Sequence, residues 1–246
     1  MTHNFDVLIL GAGAGGLMCA IEAGKRGRRV AILERAERAG KKILISGGGR
    51  CNFTNLHYTP ENFLSANPHF AKSVLARYSP ADFIALVEKR KIPYHEKTLG
   101  QLFCDRSSRD ILTMLETECH AANVRIFLNT KIEDVSKASE FTIRVTQNSE
   151  AQEFRAPALV VATGGLSIPK MGATSFGYDL ARQFGLAIQP PRPALVPLLW
   201  NINDSAHYAT LAGLSAEVEA SSHDSRFAPS FREKMLFTHR GLSGPA

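Results

Sequence analysis

The sequence carries only four cysteines, Cys19, Cys51, Cys104 and Cys119, and no two of them form a C-x-x-C pair. That absence excludes a zinc ribbon and a thioredoxin-type dithiol. The usage is that of a reducing compartment, not of a disulfide framework, so a cytoplasmic location is expected. Membrane-length apolar runs are also missing. The nearest candidate, Phe5–Ala23, contains Asp6, is interrupted by Gly11, Gly13, Gly15 and Gly16, and lacks the basic start of a signal peptide. No membrane partner is expected. The basic excess, +6 from 29 Lys and Arg against 23 Asp and Glu, is not gathered into a stripe. Its densest runs, Arg26–Arg29 and Lys89–Lys91, read as solvated helix ends. The expected partner is therefore a small molecule and not a nucleic acid. No Ser-His-Asp set, no paired glycosidase carboxylates, no metal-ligand spacing and no internal repeat is present.

What is present is a strand–glycine–helix–strand unit at the N-terminus. Asp6–Leu10 is a short apolar run ending on glycine, as a buried parallel strand does. Small and apolar residues then recur at helical spacing from Ala14 to Arg26, and Arg29–Leu33 is a second buried strand closed by Glu34. This is one βαβ unit. Ser79-Pro80-Ala81-Asp82 and Ser107-Ser108-Arg109-Asp110 have the composition of helix N-termini. Pro93–Phe103 between them reads as a small hairpin. The segments 124–128, 132–135 and 141–145 alternate apolar and polar residues and predict antiparallel strands. Ala158–Ala162 is again a continuous buried strand, and 177–184 a helix. Pro190, Pro191, Pro193 and Pro197 mark a boundary. The expected fold is α/β: a Rossmann-type dinucleotide-binding domain with a parallel sheet over 1–192, then the start of a β-rich domain over 193–246.

Gly11-Ala12-Gly13-Ala14-Gly15-Gly16 fits G-x-G-x-x-G in the required context, directly after a strand and opening a helix. Gly11 allows the tight turn, Gly13 lets a pyrophosphate approach the backbone, and Gly16 lets helix and strand pack. Phosphates would sit on the free amides at the positive end of the helix. Glu34 stands where a carboxylate accepts ribose hydroxyls and repels a 2′-phosphate, which argues against NADP there. The fingerprint alone leaves FAD and NAD open. Lys42–Asn55 (KILISGGGRCNFTN) adds three consecutive glycines, bare backbone suited to phosphate or a flat ring, flanked by the donors Lys42, Arg50 and Asn52.

With that segment, Leu102–Asp105 (LFCD), Ala162–Gly172 (ATGGLSIPKMG), Leu195–Leu198 (LVPL) and Leu236–Pro245 (LFTHRGLSGP), the chain resembles the BaiN-like (YhiN-type) FAD-dependent flavoproteins, which share a glutathione-reductase-like FAD domain. The resemblance implies FAD held by Gly11, Gly13, Ala14, Gly15, Gly16, Glu34 and Arg35. It implies Lys42, Gly48, Arg50 and Asn52 near pyrophosphate and flavin, the backbone near Ile132 at the adenine, and Thr163-Gly164 closing over the cofactor. It implies an oxidoreductase on a small organic substrate, with NAD(P)H as a transient reductant because only one dinucleotide fingerprint is present. Members of that family continue beyond the position of Ala246, so the resemblance also implies C-terminal truncation. A flavin-binding module without turnover and an NAD-utilising, thiazole-synthase-like enzyme remain as alternatives.

No catalytic acid or base is assigned from the residues. Cys51, in an Arg-flanked loop, reads as a packed thiol with no second cysteine close in sequence. His239 reads as a structural hydrogen-bonding residue and His95 as a surface strand residue. Cys19 and Cys119 are expected in the core.

Overall fold

The computed structural model describes residues 1–63, 65–193, 196–221 and 230–245; Leu195 of the LVPL segment and Ala246 lie outside them. Two compact units are present, Met1–Ile188 and Gln189–Ala246. The first unit contains, in chain order, β1 (Thr2–Asn4), β2 (Val7–Leu10), α1 (Ala14–Lys25), β3 (Val30–Leu33), α2 (Lys41–Ile45), β4 (Asn52–Asn55), α3 (Lys72–Arg77) and α4 (Pro80–Lys89). It continues through β5 (Tyr94–Glu96), β6 (Gln101–Cys104), α5 (Ser108–Ala121), β7 (Arg125–Phe127), β8 (Thr130–Lys137), β9 (Phe141–Gln147), β10 (Glu150–Ala156), β11 (Ala158–Val161) and α6 (Phe176–Gln183).

A four-stranded parallel sheet, ordered β11-β2-β3-β7, forms the centre of this unit. Leu8, Ile9 and Leu10 of β2 and Ile32 of β3 expose nothing, the burial expected of a parallel strand covered on both faces. On one face Ile9, Val30 and Ile32 pack with Leu17 and Ile21 of α1 and Met114 and Leu115 of α5. On the other, Leu8, Leu10, Ala31 and Leu33 meet Val135, Ile143, Val145 and Phe154 of a second sheet, ordered β1-β10-β9-β8. Helices, parallel sheet and antiparallel sheet thus make three layers. Both expected N-caps form: the Ser79 hydroxyl accepts the Asp82 amide at 3.3 Å and Ser107 accepts that of Arg109 at 3.2 Å.

Four expectations need correction. The 124–128 strand does not join the antiparallel strands after it. β7 runs parallel to β3, because α5 carries the chain back along the sheet before β7 begins. Asn129, in the left-handed region at φ 52°, then turns the chain into the other sheet. The strand β11 is half-buried, not fully buried. It lies at the edge of its sheet, and Val161 is 44% exposed. The 89–91 run is not wholly solvated either, since Arg90 folds back onto the buried Glu118. Cys119 is in the core as expected, whereas Cys19 is half-buried at its edge.

The hairpin between α4 and α5 is the pair β5–β6. It is extended by β4 into a three-stranded antiparallel sheet, β4-β6-β5. The second unit contains β12 (Leu198–Leu199), α7 (Ile202–Tyr208), β13 (Ser215–Ser221), β14 (Ser230–Thr238) and β15 (Gly241–Ser243). Its strands form an antiparallel sheet ordered β12-β15-β14-β13. Trp200 packs against Tyr208 and Phe237.

Candidate functional site

The glycines of the β2–α1 turn divide into two kinds. Gly11 has φ +103°, and a Cβ there would stand 2.7 Å from the Ala162 carbonyl oxygen at the end of β11. A Cβ on Gly16 would overlap the Gly11 carbonyl itself. These two residues let the turn, helix and sheet come together. Gly13 and Gly15 are different, because a Cβ at either would meet nothing within 4 Å. Gly13 is the N-cap of α1, and no side chain caps the helix. The first helical bond runs from the Leu17 amide to the Gly13 carbonyl at 2.9 Å. Amides before it have no intrahelical acceptor, and they carry the positive end of the helix dipole, roughly half an elementary charge.

That bare backbone opens on a cleft of ≈ 1210 Å³ at the carboxyl ends of β2, β3 and β11, where ligands bind in open α/β sheets. Gly11, Gly13, Ala14, Gly15, Glu34, Arg35, Lys42, Thr163 and Gly164 all line it. Gly16 lies behind the turn. Gly48, Arg50, Asn52 and Ile132 are not among its lining residues. Ile132 sits on β8 opposite Val145 and packs on the inter-sheet core. Glu34 is held from both sides: Oε2 accepts the Ala12 amide at 2.7 Å and Oε1 the Ala36 amide at 2.8 Å. Lys42 Nζ donates to Ser167 Oγ at 2.9 Å, joining α2 to the loop after β11. The sequence reading missed Arg38, Lys41, Lys170 and Tyr178, which also line the cleft. Lys41 is adjacent to a residue it did select. Tyr178 is carried in by α6, and Arg38 and Lys170 by the segments after β3 and β11; their convergence on the cleft leaves no pattern in sequence.

Gly48, Arg50 and Asn52 belong instead to the three-stranded sheet and the turn leading into it. Gly47, Gly48 and Gly49 have φ +56°, +65° and +85°, so this turn requires three residues in a region that favours glycine. Cys51 follows at φ 53° with its thiol buried, and burial pushes that thiol's pKa up. The β4–β6 pairing, with Asn52 opposite Phe103, brings Cys104 beside it. Cys104 is pushed up to about 12, first by burial and then by the neighbouring Cys51. The second cysteine absent locally in sequence is thus supplied by strand pairing. Both sulfurs are protonated near neutrality, which agrees with packed thiols. On the same sheet His95 Nδ1 is 2.7 Å from Asp105 Oδ1. His239 is exposed in the β14–β15 turn of the second unit. Among the described residues no group of three potential metal ligands occurs, and none of their helices is long and apolar enough to cross a membrane.

Residues 5–235 match the family described as HI0933-like protein Rossmann domain. The chain is 47% identical over 245 residues to the ribosomal RNA dihydrouridine synthase of Escherichia coli, covering 99% of this chain and 60% of that protein. It is 44% identical over 247 residues to the protein of the same name from Haemophilus influenzae, covering 100% and 61%. It is 33% identical over 195 residues to the 3-dehydro-bile acid delta(4,6)-reductase of Clostridium scindens, covering 77% and 46%. The chain therefore spans about three fifths of the two relatives it matches end to end. Among solved structures, glycine oxidase from Geobacillus kaustophilus superposes with a TM-score of 0.51 at 17% identity, over 76% of this chain and 60% of that one. This likeness is one of fold.

Proposed function

Because this chain belongs to the HI0933-like Rossmann-domain family, a family of FAD-binding flavoproteins, we propose that it is the FAD-binding part of a reductase that saturates a carbon–carbon double bond conjugated to a carbonyl. The substrate of this reading is a uridine of ribosomal RNA. The observation that carries the cofactor assignment is the cradle at Gly13 and Gly15, where bare backbone at a helix N-terminus faces a cleft large enough for a dinucleotide. Gly13, Ala14 and Gly15 would take the pyrophosphate on their amides. Arg35, Arg38, Lys41, Lys42 and Lys170 supply positive charge around it. The lone pairs that Glu34 keeps beyond Ala12 and Ala36 would accept ribose hydroxyls. When bound, FAD supplies the hydride. The chain positions it, with NAD(P)H as the transient reductant.

The RNA substrate is supported by the two relatives matched along the whole chain. Dihydrouridine is uridine with two hydrogens added across a ring double bond, and a delta(4,6)-reductase likewise removes unsaturation. The two kinds of relative share one reaction class. The RNA reading departs from the expectation drawn from the scattered basic residues. The bile-acid reductase favours a second reading that keeps a small-molecule enone as substrate.

The test is anaerobic. The chain is loaded with FAD, reduced with NADH or NADPH, and mixed with a transcribed ribosomal RNA fragment or with cyclohexenone. Reoxidation of the flavin by RNA, with a gain of two hydrogens in a uridine by mass spectrometry, is the expected result. Reoxidation by the enone alone selects the second reading, and reoxidation by neither removes both.

A further inference from the structure

We propose that a pocket at the opposite end of the parallel sheet from the cofactor cleft anchors the phosphate backbone of an RNA strand, through Arg28 and Arg125. The proposal rests on the RNA reading above and adds to it a grip on the substrate away from the reacting uridine. The pocket has a volume of ≈ 620 Å³, within the range of about 300–1,000 Å³ for small-ligand sites. It lies at the amino ends of β2, β3 and β7. Residues 2–5, residues 27–30 and Arg125 line it, together with the ends of α1 and α5.

Two of its positive charges are uncompensated. No carboxylate among the described residues lines the pocket. Arg29 is neutralised by Asp6, whose Oδ1 accepts the guanidinium at 2.7 Å and whose Oδ2 accepts the Arg29 amide at 2.8 Å. Lys25 and Arg26 pair with Glu22. Arg28 and Arg125 have neither an ion pair nor a side-chain hydrogen bond among the described residues. A helix C-terminus attracts cations through its dipole, and that accounts for Lys25 and Arg26 at the end of α1, where Arg26 donates to the Glu22 carbonyl at 2.8 Å. The dipole does not account for Arg28, past the cap in the link to β3, or for Arg125 on β7.

Tertiary structure brings these two arginines together. β3 and β7 pair in parallel with Ala31 opposite Arg125, which sets Arg125 beside the chain that has just left Arg28. The Arg125 guanidinium lies over the rings of Phe127 and Phe5, 5.0 and 5.8 Å from their centroids. That contact positions the group without consuming its N–H donors. His3 belongs to the same aromatic group, stacked on Phe154 with centroids 4.7 Å apart. In the same pocket Gly27, at φ +74°, leaves bare backbone, since a Cβ there would meet nothing within 4 Å. Gly24 closes the wall: its Cβ would stand 2.5 Å from the Ala122 carbonyl oxygen, where α1 meets the end of α5. Asn4 and Asn123 add amide donors to the lining.

Position selects the ligand. Phe5 of this pocket precedes β2 and Gly11 of the cofactor cleft follows it, so the extended chain between them sets the two sites roughly 20 Å apart. A nicotinamide held at Arg28 cannot pass hydride to the cofactor over that distance, and a bile acid does not span it. A ribosomal RNA does, with a uridine at the cofactor and a phosphate elsewhere on the strand at the arginines. Guanidinium groups bind phosphate through charge and paired N–H donors whatever the base. The pocket therefore contributes grip and register, and base selection stays with the cleft.

The test follows binding of the labelled ribosomal RNA fragment to the FAD-loaded full chain by fluorescence anisotropy over a series of salt concentrations. Arg28→Gln and Arg125→Gln are each expected to weaken binding about fivefold and to lower the slope of log affinity against log salt by about 0.7–1. Arg125→Lys keeps the charge and is expected to keep the slope, which separates lost charge from lost packing on Phe5 and Phe127. Arg109→Gln removes the same charge at the start of α5, about 20 Å from its end, and is expected to leave RNA affinity unchanged. FAD stoichiometry and flavin reduction by NAD(P)H should match wild type in every variant. A double Arg28→Gln, Arg125→Gln variant that binds RNA within about twofold of wild type, or an equal loss in Arg109→Gln, overturns the anchor and leaves the RNA reading standing. Displacement of the RNA by uridine monophosphate or inorganic phosphate at concentrations comparable to the RNA makes this a free-phosphate site and overturns the anchor as well. If the wild-type chain neither binds the fragment nor is reoxidised by it, the RNA reading falls and the anchor falls with it.

Discussion

The Glu34 carboxylate accepts the Ala12 amide at 2.7 Å, which ties the end of β3 to the first residue inside the glycine turn. The side chain thus shapes the turn as well as facing the cleft. Glu34→Gln keeps the shape but turns an amide N–H toward one of two backbone donors, Ala12 or Ala36. We expect FAD affinity to fall by about 1.5–3 kcal/mol, the scale of hydrogen bonds to a charged group. Melting of the apoprotein should fall as well. Titration of apoprotein with FAD and a thermal scan measure the two separately. Unchanged FAD affinity in this variant would falsify a ribose role for Glu34.

Gly13 and Gly16 are three residues apart and should respond oppositely to one added methyl. At Gly13 the backbone has φ −78° and a Cβ meets no protein atom, so Gly13→Ala should fold normally. Its methyl would point into the cleft, and bound flavin should be lost or strongly reduced. Gly16→Ala drives a Cβ into the Gly11 carbonyl and should destabilise the fold itself. Circular dichroism melting and flavin absorbance after desalting distinguish the cases. A Gly13→Ala protein carrying one FAD per chain would remove the phosphate from this turn.

Much of this was legible in sequence for a physical reason. The strand, glycine turn, helix and strand of residues 6–34 are contiguous, so local pattern and tertiary role coincide. The same holds for the caps at Ser79 and Ser107, whose partners lie two or three residues away. Legibility failed where partners are distant. The parallel pairing of β7 with β3 depends on α5 and not on the alternation within 124–128. The division of the glycine-rich 46–52 segment from the dinucleotide cleft depends on β4 pairing with β6. His95 is an exposed residue of β5, as its sequence suggests, but its partner Asp105 reaches it only across the β5–β6 pairing, which local pattern does not show. Arg90 looked solvated because Glu118 lies on another helix.

The Arg90–Glu118 pair gives a signed pH dependence. Glu118 is 4% exposed, and the Arg90 guanidinium holds its carboxyl below the usual carboxylate range, with further help from Lys89 and Lys25. A carboxyl whose folded value lies below its unfolded value, about 4.3, contributes its full stability above that value. The contribution is lost as pH falls through the folded value. Glu118→Gln should therefore lower stability at pH 7 and reduce the acid dependence below about pH 4.3. Glu118→Ala should cost about 1–3 kcal/mol, less than a fully buried pair because Arg90 is one third exposed. Urea unfolding at pH 7 and pH 3.5 reads both effects. A wild-type loss on acidification that persists unchanged in Glu118→Gln would assign it to other carboxylates.

The cysteines provide the last prediction, because Cys51 and Cys104 are adjacent thiols in a protein proposed to bind a redox cofactor. A redox role needs a thiolate, or a sulfur poised against the flavin ring. Burial opposes the thiolate at Cys51, Cys104 and Cys119 and pushes the last two up to about 12. At pH 8 a thiol of that acidity is ionised in about one molecule in ten thousand, and the thiolate is the reactive form. Native chain should therefore react slowly with dithionitrobenzoate at pH 8, and all four thiols should react promptly in denaturant. Cys51→Ser should leave NAD(P)H-driven flavin reduction within a few-fold of wild type. Neither it nor Cys104→Ser should remove any long-wavelength charge-transfer absorbance. The opposite pattern would be two native thiols titrating rapidly, with flavin reduction slowed by orders of magnitude in Cys51→Ser. In that event the pair would have to be read as an electron acceptor beside the flavin, with the β4–β6 register as the means of bringing its two sulfurs together.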